Sequence, residues 1–218
     1  MPHPLHATIE DLVQGLKGLE RGLITQDKVR DLMAATPVPA DALAPYTHFR
    51  DQFYTRNLIY RDDLFEVMAI CWKTGQRTPI HSHNGQLGWM TIAQGEIAVH
   101  NYKYLACNCP ERQNVIGLDC LAGASHIELE RLKTDVCSPT TGVSTVDKLQ
   151  SIHQIENADR SKHGVISLHV YSLPFDSCVS FDLDKQYCCR KSLSYFSKYG
   201  KVEDEVEHSL SGVIKSIH

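Results

Sequence analysis

The sequence predicts an all-β body behind a small N-terminal helical segment. Three observations carry this. Apolar residues recur at helical spacing only near the start, as Ile9, Leu12, Val13, Leu16 and Leu19 and again as Val29, Leu32 and Met33. From about Leu64 the texture changes to short apolar and β-branched runs separated by turn residues. Val165 to Tyr171 then alternates cleanly, with Ile166, Leu168 and Val170 on one face and Ser167, His169 and Tyr171 on the other, as the two-residue period of a strand requires.

Residues 8 to 34 read as two helices. Thr8 and Asp11 form a capping pair for the first, and Thr25 caps the second. Pro37 to Pro45 ends helix formation, because proline removes a backbone donor and restricts the residue before it, so this stretch is expected to be a linker within the domain. Phe65 to Trp72 is the first core strand. Trp89 to Ile92 and Ile97 to Tyr102 flank Gln94-Gly95 and are expected to form a hairpin on a glycine turn. Lys103 to Thr145, rich in Cys, Gly, Ser and Thr, is expected to hold short strands and a long loop. The polar face of Val165 to Tyr171 has two readings: it looks at water in an open sheet, or it lines an internal cavity in a small barrel. The chain is thus expected to be one domain over residues 1-218, with N-terminal helices over 1-45, a β-barrel over 46-200 and a polar tail over 201-218.

Composition excludes several classes. The chain has 218 residues, 42% hydrophobic and 22% charged, enough to bury a sizeable core. A formal charge of -4 gives no basic field for nucleic acid or an anionic membrane. No basic segment followed by an apolar core appears at the start, and no apolar run is long enough to span a bilayer, so a cytoplasmic protein is expected. In that reducing compartment the 8 cysteines are expected to stay thiols. A small-molecule partner and a monomer are the defaults.

His81-Ser82-His83 places two imidazoles on one side of a strand, a disposition suited to adjacent metal ligands. Alone the pair is weak, since 12 histidines make a chance pair at this spacing common, and two surface histidines are the ordinary explanation. The surroundings change the weighting. Gly75 precedes His81 with five residues between them, Pro79-Ile80 leads directly into the pair, and Gly95 follows. Downstream, Gly142 precedes His153, and Asn157 follows it after three residues. This register resembles the two motifs of the cupin superfamily, and implies a jelly-roll-like cupin β-barrel with His81, His83 and His153 as metal ligands. The sequence departs from the usual pattern at Gly88, where a glutamate ligand normally stands, and at Lys148 and Gln150, in place of a proline and a glycine.

A three-histidine cupin without that glutamate is similar to the cysteine dioxygenase family. Further likeness lies in Tyr54-Thr55-Arg56-Asn57-Leu58, Ile70-Cys71-Trp72, His153 to Asn157, Ser167 to Ser172, Pro174 to Cys178 and Phe196 to Gly200. The resemblance implies an Fe(II) enzyme that oxidises a thiol with O2 to a sulfinate, with L-cysteine as substrate and cysteine sulfinic acid as product in cysteine catabolism. It implies that Arg56 holds the substrate carboxylate, as a planar guanidinium can through two parallel hydrogen bonds, with Tyr54 assisting. Tyr171 would place its hydroxyl by the metal, backed by His169 and Ser167. Mammalian members carry, at the position of Gly88, a cysteine joined covalently to that tyrosine; glycine cannot form the link, so Tyr171 is expected to remain a plain phenol. Leu173 stands where the family often has proline after Ser172, and a cis bond before leucine costs about 2.5 to 4 kcal/mol, so the backbone there is expected to follow a different path. The alternatives are a dioxygenase for another carboxylate-bearing thiol, such as 3-mercaptopropionate or mercaptosuccinate, a zinc cupin, or a non-catalytic metal-binding cupin. Trp72 is expected to be core packing beside the site. Cys107, Cys109, Cys120 and Cys137, with His126 among them, do not have the spacing of a zinc ribbon or knuckle and are expected to be idle thiols.

Overall fold

A computed structural model describes residues 7–83, 85–108, 126–146, 151–158 and 163–203. Two helices come first, α1 (Ile9–Lys17) and α2 (Gln26–Ala35). The expected capping pair is present at α1: Thr8 Oγ1 accepts from the Asp11 amide at 3.1 Å, and Asp11 Oδ2 accepts from the Thr8 amide at 2.9 Å. Thr25 caps α2 in the same way, accepting from the Lys28 amide at 3.2 Å. The linker after α2 is more ordered than its prolines suggested. Asp41–Tyr46 makes a short 3-10 helix that includes Pro45 and buries Leu43, because i to i+3 bonds from Leu43 and Thr47 close the turn without needing the missing proline amide.

Among the described residues thirteen strands follow: β1 (Thr55–Arg61), β2 (Glu66–Trp72), β3 (Ile80–Ser82), β4 (Leu87–Gln94), β5 (Ile97–Ala106), β6 (Glu128–Cys137), β7 (Ser144–Val146), β8 (Ile152–Glu156), β9 (Val165–Ser172), β10 (Ser177–Asp182), β11 (Tyr187–Ser192), β12 (Ser197–Lys198) and β13 (Lys201–Val202). They form a seven-stranded sheet in the order β13-β12-β1-β2-β9-β4-β7 and a six-stranded sheet in the order β11-β10-β3-β8-β5-β6. Pairing is antiparallel except between β1 and β12. This is the all-β cupin architecture, with the small helical segment packed outside it.

The two sheets enclose a core of Met68, Ile70, Trp72, Met90 and Ile92 from the first sheet against Ile97, Val99 and Ile155 from the second. On the outer face of the first sheet Val67, Ala69, Leu168 and Val170 are covered by Leu12, Leu16, Val29 and Met33 of the helices. The Trp89 indole N–H donates to the Gln26 carbonyl at 2.8 Å, fastening α2 to β4. This layering settles the two readings of β9. Every residue from Val165 to Ser172 is buried, its apolar face under the helices and its polar face, Ser167, His169 and Tyr171, inside the barrel. Burying such a face is tolerable only where its polar groups find partners.

Two expectations need correction. β4 and β5 are not a hairpin: β4 pairs with β9 and β7, and β5 with β8 and β6, in opposite sheets. The glycine at 95 does reverse the chain, with φ of +78°, but the reversal crosses from one sheet to the other, because a turn sequence specifies a bend and not which strand satisfies the hydrogen bonds beyond it. Lys103 to Thr145 is also more regular than expected, since β6 is a strand of 10 residues. As the edge of its sheet it exposes residues on both faces, so no period-two pattern marks it in the sequence. Of the tail, Lys201–Val202 forms β13, and residues 204–218 lie outside the described residues.

The spacing around the histidines has a structural cause. The Gly75 amide donates to the Asn157 carbonyl at 2.8 Å, the Asn157 amide donates to the Gln76 carbonyl at 2.9 Å, and Asn157 Nδ2 donates to the Trp72 carbonyl at 3.1 Å. Asn157 is fully buried. These bonds lock the end of β8 to the turn between β2 and β3, which fixes the register of the histidine strands.

Candidate metal centre

β3 and β8 pair antiparallel with His81 opposite His153. His83, two residues on from His81, points to the same side just past the end of β3. Register alone therefore gathers three imidazoles that are far apart in sequence. Each offers a nitrogen, and these atoms all lie within 4.8 Å of one another. The rings stand at 4.7 to 5.1 Å between centroids, steeply inclined to each other. No other group of three or more potential ligands of this kind occurs among the described residues.

The chemistry of these nitrogens fits a metal ion. His81 Nδ1 sits 3.0 Å from the Pro79 carbonyl, which can only accept, so Nδ1 carries the proton and Nε2 keeps its lone pair. Nε2 of His83 and of His153 are buried and have no hydrogen-bond partner among the described residues. Burial holds His81 below the ordinary imidazole range, and burial together with the neighbouring histidines holds His83 and His153 well below it. All three are thus neutral at physiological pH, with buried lone pairs converging on one point. Left without an ion, such orphaned acceptors are costly.

β9 lies across the barrel from these strands and presents its polar face as a hydrogen-bonded series. The Trp72 indole N–H donates to Ser167 Oγ at 2.9 Å, Ser167 Oγ lies 2.9 Å from His169 Nε2, and His169 Nδ1 lies 3.3 Å from the Tyr171 hydroxyl. Ser167 has one proton to give. The His169 nitrogen at 2.9 Å is a better acceptor than the Ile70 carbonyl at 3.5 Å. That assigns the imidazole proton to Nδ1, from which it donates to Tyr171, and leaves the Tyr171 O–H free to point into the cavity. Burial lowers His169 to about 3, so the ring is a neutral relay. Burial raises Tyr171 above the ordinary phenol range, so it is a proton donor and not a phenolate. Trp72 is core packing, as expected, and it also heads this series.

A cavity of about 50 Å³ joins the two groups. Its wall includes Tyr54, Arg56, Trp72, His81, His83, His169, Tyr171, Phe175 and Cys178. Every site residue named from the sequence lies here or, for His153 and Ser167, directly behind a residue that does. Arg56 is not the surface ion pair that an isolated arginine usually makes: its side chain is 12% exposed, with Nη2 at 3.3 Å from Glu66 Oε1 and Nη1 donating to the Ser194 carbonyl at 3.3 Å. The Tyr54 ring stacks on Trp72 at 4.6 Å, and burial pushes its hydroxyl up to about 12, so it too stays protonated. Gly88 stands opposite Tyr171 in the β4·β9 register, and a Cβ placed there would lie 3.0 Å from two Tyr171 ring carbons and 2.6 Å from Val146 Cγ2. There is no side chain at this position to supply a fourth ligand.

Three wall or near-wall residues escaped the sequence reading. Phe175 packs edge-on against Tyr171 at 5.1 Å, and Cys178 is a buried thiol, pushed up to about 11 by burial. Both sit in a stretch noted for its resemblance, but loop and strand geometry, not residue type, brings them to the cavity. Glu66 is fully buried beside Arg56; its signal was a lone acidic residue opening an otherwise apolar run. The backbone after Tyr171 is also corrected: the Ser172–Leu173 peptide is cis, and the Leu173 amide donates to Gln86 Oε1 at 3.1 Å. The presence of leucine did not exclude that conformation. Of the remaining thiols, Cys137 packs in the inter-sheet core and Cys107 against a separate outer cluster, while Cys109 and Cys120, like Lys148 and Gln150, lie outside the described residues.

The chain is 26% identical over 196 residues to cysteine dioxygenase type 1 of Danio rerio, covering 89% of each chain. It is 26% identical over 195 residues to the enzyme of the same name from Homo sapiens, covering 88% of each. A solved cupin superfamily protein from Desulfitobacterium hafniense aligns at 14% identity over 64% of this chain and 91% of that one, with a TM-score of 0.38. The family model described as cysteine dioxygenase type I matches residues 3–184. The chain belongs to the cysteine dioxygenase type I family.

Proposed function

We propose that the protein is an Fe(II)-dependent cysteine dioxygenase, converting L-cysteine and O2 to cysteine sulfinic acid. The observation that carries this reading is a cavity lined by two of the three clustered neutral histidines, His81 and His83, with His153 packed behind them, together with a guanidinium and a protonated tyrosine. Ferrous iron held by His81, His83 and His153 would supply the binding and activation of thiol and dioxygen, and the all-nitrogen donor set leaves room for both.

The chain's own groups do the rest. Arg56 recognises the substrate carboxylate, since a largely buried guanidinium binds a carboxylate far more strongly than an exposed one does. That selects carboxylate-bearing thiols over cysteamine. Tyr54 donates its hydroxyl toward the same end of the cavity. Tyr171 keeps its proton and, with its oxygen held by His169, aims that proton at the reacting sulfur and oxygen atoms. Ser167 and Trp72 fix the tautomer that makes this possible. Phe175 and Ile155 close the wall with apolar surface and limit water beside the reacting atoms. With Gly88 opposite it, Tyr171 acts as an unmodified phenol. The proposed setting is the cytoplasm.

The test is oxygen uptake by iron-loaded protein with L-cysteine, 3-mercaptopropionate, mercaptosuccinate and cysteamine in parallel. The reading expects the highest kcat/KM with L-cysteine and the lowest with cysteamine. Equal rates with cysteamine would overturn the carboxylate assignment.

A further inference from the structure

Beside the cavity four charged groups form an alternating series. Arg56 Nη2 lies 3.3 Å from Glu66 Oε1, Arg61 Nη1 lies 3.8 Å from Glu66 Oε2, and the same Arg61 nitrogen lies 2.8 Å from Asp176 Oδ1. Arg61 also donates to the Tyr195 hydroxyl at 2.6 Å. Exposure falls steeply along the series, from 79% at the Asp176 side chain through 25% at Arg61 to 1% at Glu66. Glu66 is the inward-facing residue at the end of β2, opposite Tyr171 in the sheet register. Two positive and two negative groups leave the series neutral.

A bland reading makes Glu66 the structural counter-ion of Arg61. The distances disfavour it: Arg61 already has Asp176 at 2.8 Å, and the shorter contact of Glu66 is to Arg56. Because Arg56 faces the cavity, Glu66 holds the guanidinium from behind and offsets part of its charge.

We infer that Glu66 is a positioning residue that sets the charge of the Arg56 clamp and restricts it to thiols with a single carboxylate. This rests on Arg56 being the carboxylate clamp. One substrate carboxylate completes the pairing of Arg56. A second one would meet the Glu66 carboxylate across a poorly hydrated wall in which, among the described lining residues, Arg56 is the one arginine or lysine, and like charges there repel strongly. The substrate class that follows is the small α-amino or simple monocarboxylate thiol, with dicarboxylate thiols such as mercaptosuccinate excluded.

The test compares wild-type and Glu66→Gln protein, iron-loaded, with cysteine, mercaptosuccinate and cysteamine. The amide keeps the shape of the carboxylate and removes its charge. The kcat/KM ratio of mercaptosuccinate to cysteine should rise at least tenfold, through a lower KM for mercaptosuccinate, while cysteamine, which has no carboxylate, is unaffected. A parallel change for all three thiols overturns the inference, since a merely structural ion pair would act on all alike. Should Glu66→Gln fail to fold, the exposed Asp176→Asn serves instead: freed from Asp176, Arg61 draws Glu66 from Arg56, and the ratio should rise two- to threefold; an unchanged ratio overturns the inference. Anaerobic calorimetry of mercaptosuccinate and cysteine binding reads the same ratio without turnover. Absence of turnover by the wild type with every thiol would therefore sink the dioxygenase reading, while the binding ratio still decides the role of Glu66.

Discussion

Replacing Arg56 by glutamine perturbs stability and selectivity through one ion pair. The substitution leaves Glu66, with a side chain 1% exposed, with Arg61 at 3.8 Å and the Tyr195 hydroxyl as its remaining partners. Removing one partner of a buried pair costs about 3 to 5 kcal/mol. Arg61 retains part of the compensation, so the lower end, about 3 kcal/mol, is expected. For a chain of this size that lowers Tm by roughly 6 to 12 °C. Selectivity shifts independently. A hydrogen bond to a charged group contributes about 1.5 to 3 kcal/mol, so kcat/KM for cysteine should fall by one to two orders of magnitude, with little change for cysteamine. The double variant Arg56→Gln/Glu66→Gln removes the stranded charge and should recover most of the lost stability, but none of the lost selectivity. Thermal unfolding and oxygen uptake on the three proteins read both effects. A double variant no more stable than Arg56→Gln, or an unchanged cysteine to cysteamine ratio, refutes the reasoning.

Other perturbations address the rest of the site. Ser167→Ala strands the buried Trp72 N–H and frees the His169 tautomer; it should cost about 1 to 3 kcal/mol of stability and lower kcat while leaving the KM for cysteine, set by Arg56, near wild type. His169 has a folded value of about 3 against 6.5 for a free imidazole. The unfolded chain therefore takes up the proton first as pH falls, so the stability contributed is complete above 6.5 and is lost progressively toward 3. Between pH 7 and pH 5 that loss is about 2 kcal/mol, and chemical denaturation of His169→Gln should show a pH slope shallower than wild type by that amount; equal slopes would contradict the burial. Gly88→Ala places a methyl 2.6 Å from Val146 Cγ2 and 3.0 Å from the Tyr171 ring, so it should destabilise by roughly 1 to 3 kcal/mol and, by displacing Tyr171, reduce kcat more than it raises KM. A Tm and kcat equal to wild type would show that the ring has room to move.

Much of this was legible in the sequence because local chemistry decided it. The Thr8 and Thr25 caps, the buried run of β2 and the alternation of β9 follow from residue type and period, and the Gly75 and Asn157 spacing betrays bonds that fix the histidine register. What escaped depends on tertiary choices. Gln94-Gly95 reads as a hairpin because it bends the chain, yet the flanking strands find partners in opposite sheets. β6 hides because an edge strand exposed on both faces needs no alternation. Whether the polar face of β9 meets water or a cavity depends on which side the helices cover. Glu66 was invisible as a site residue because its meaning lies in a partner, Arg56, which stands opposite Ile70 in the β1·β2 register and reaches Glu66 only through the length of its side chain.

The central claim is that His81, His83 and His153 hold iron and that the cavity beside them oxygenates a carboxylate-bearing thiol. The most direct measurement is oxygen consumption by iron-reconstituted protein with L-cysteine, joined to metal analysis and mass determination of the product. The account predicts iron at the histidine site, one dioxygen consumed per thiol, and a product heavier than cysteine by both atoms of that dioxygen. Zinc at the site with full turnover and no oxygen uptake would contradict it.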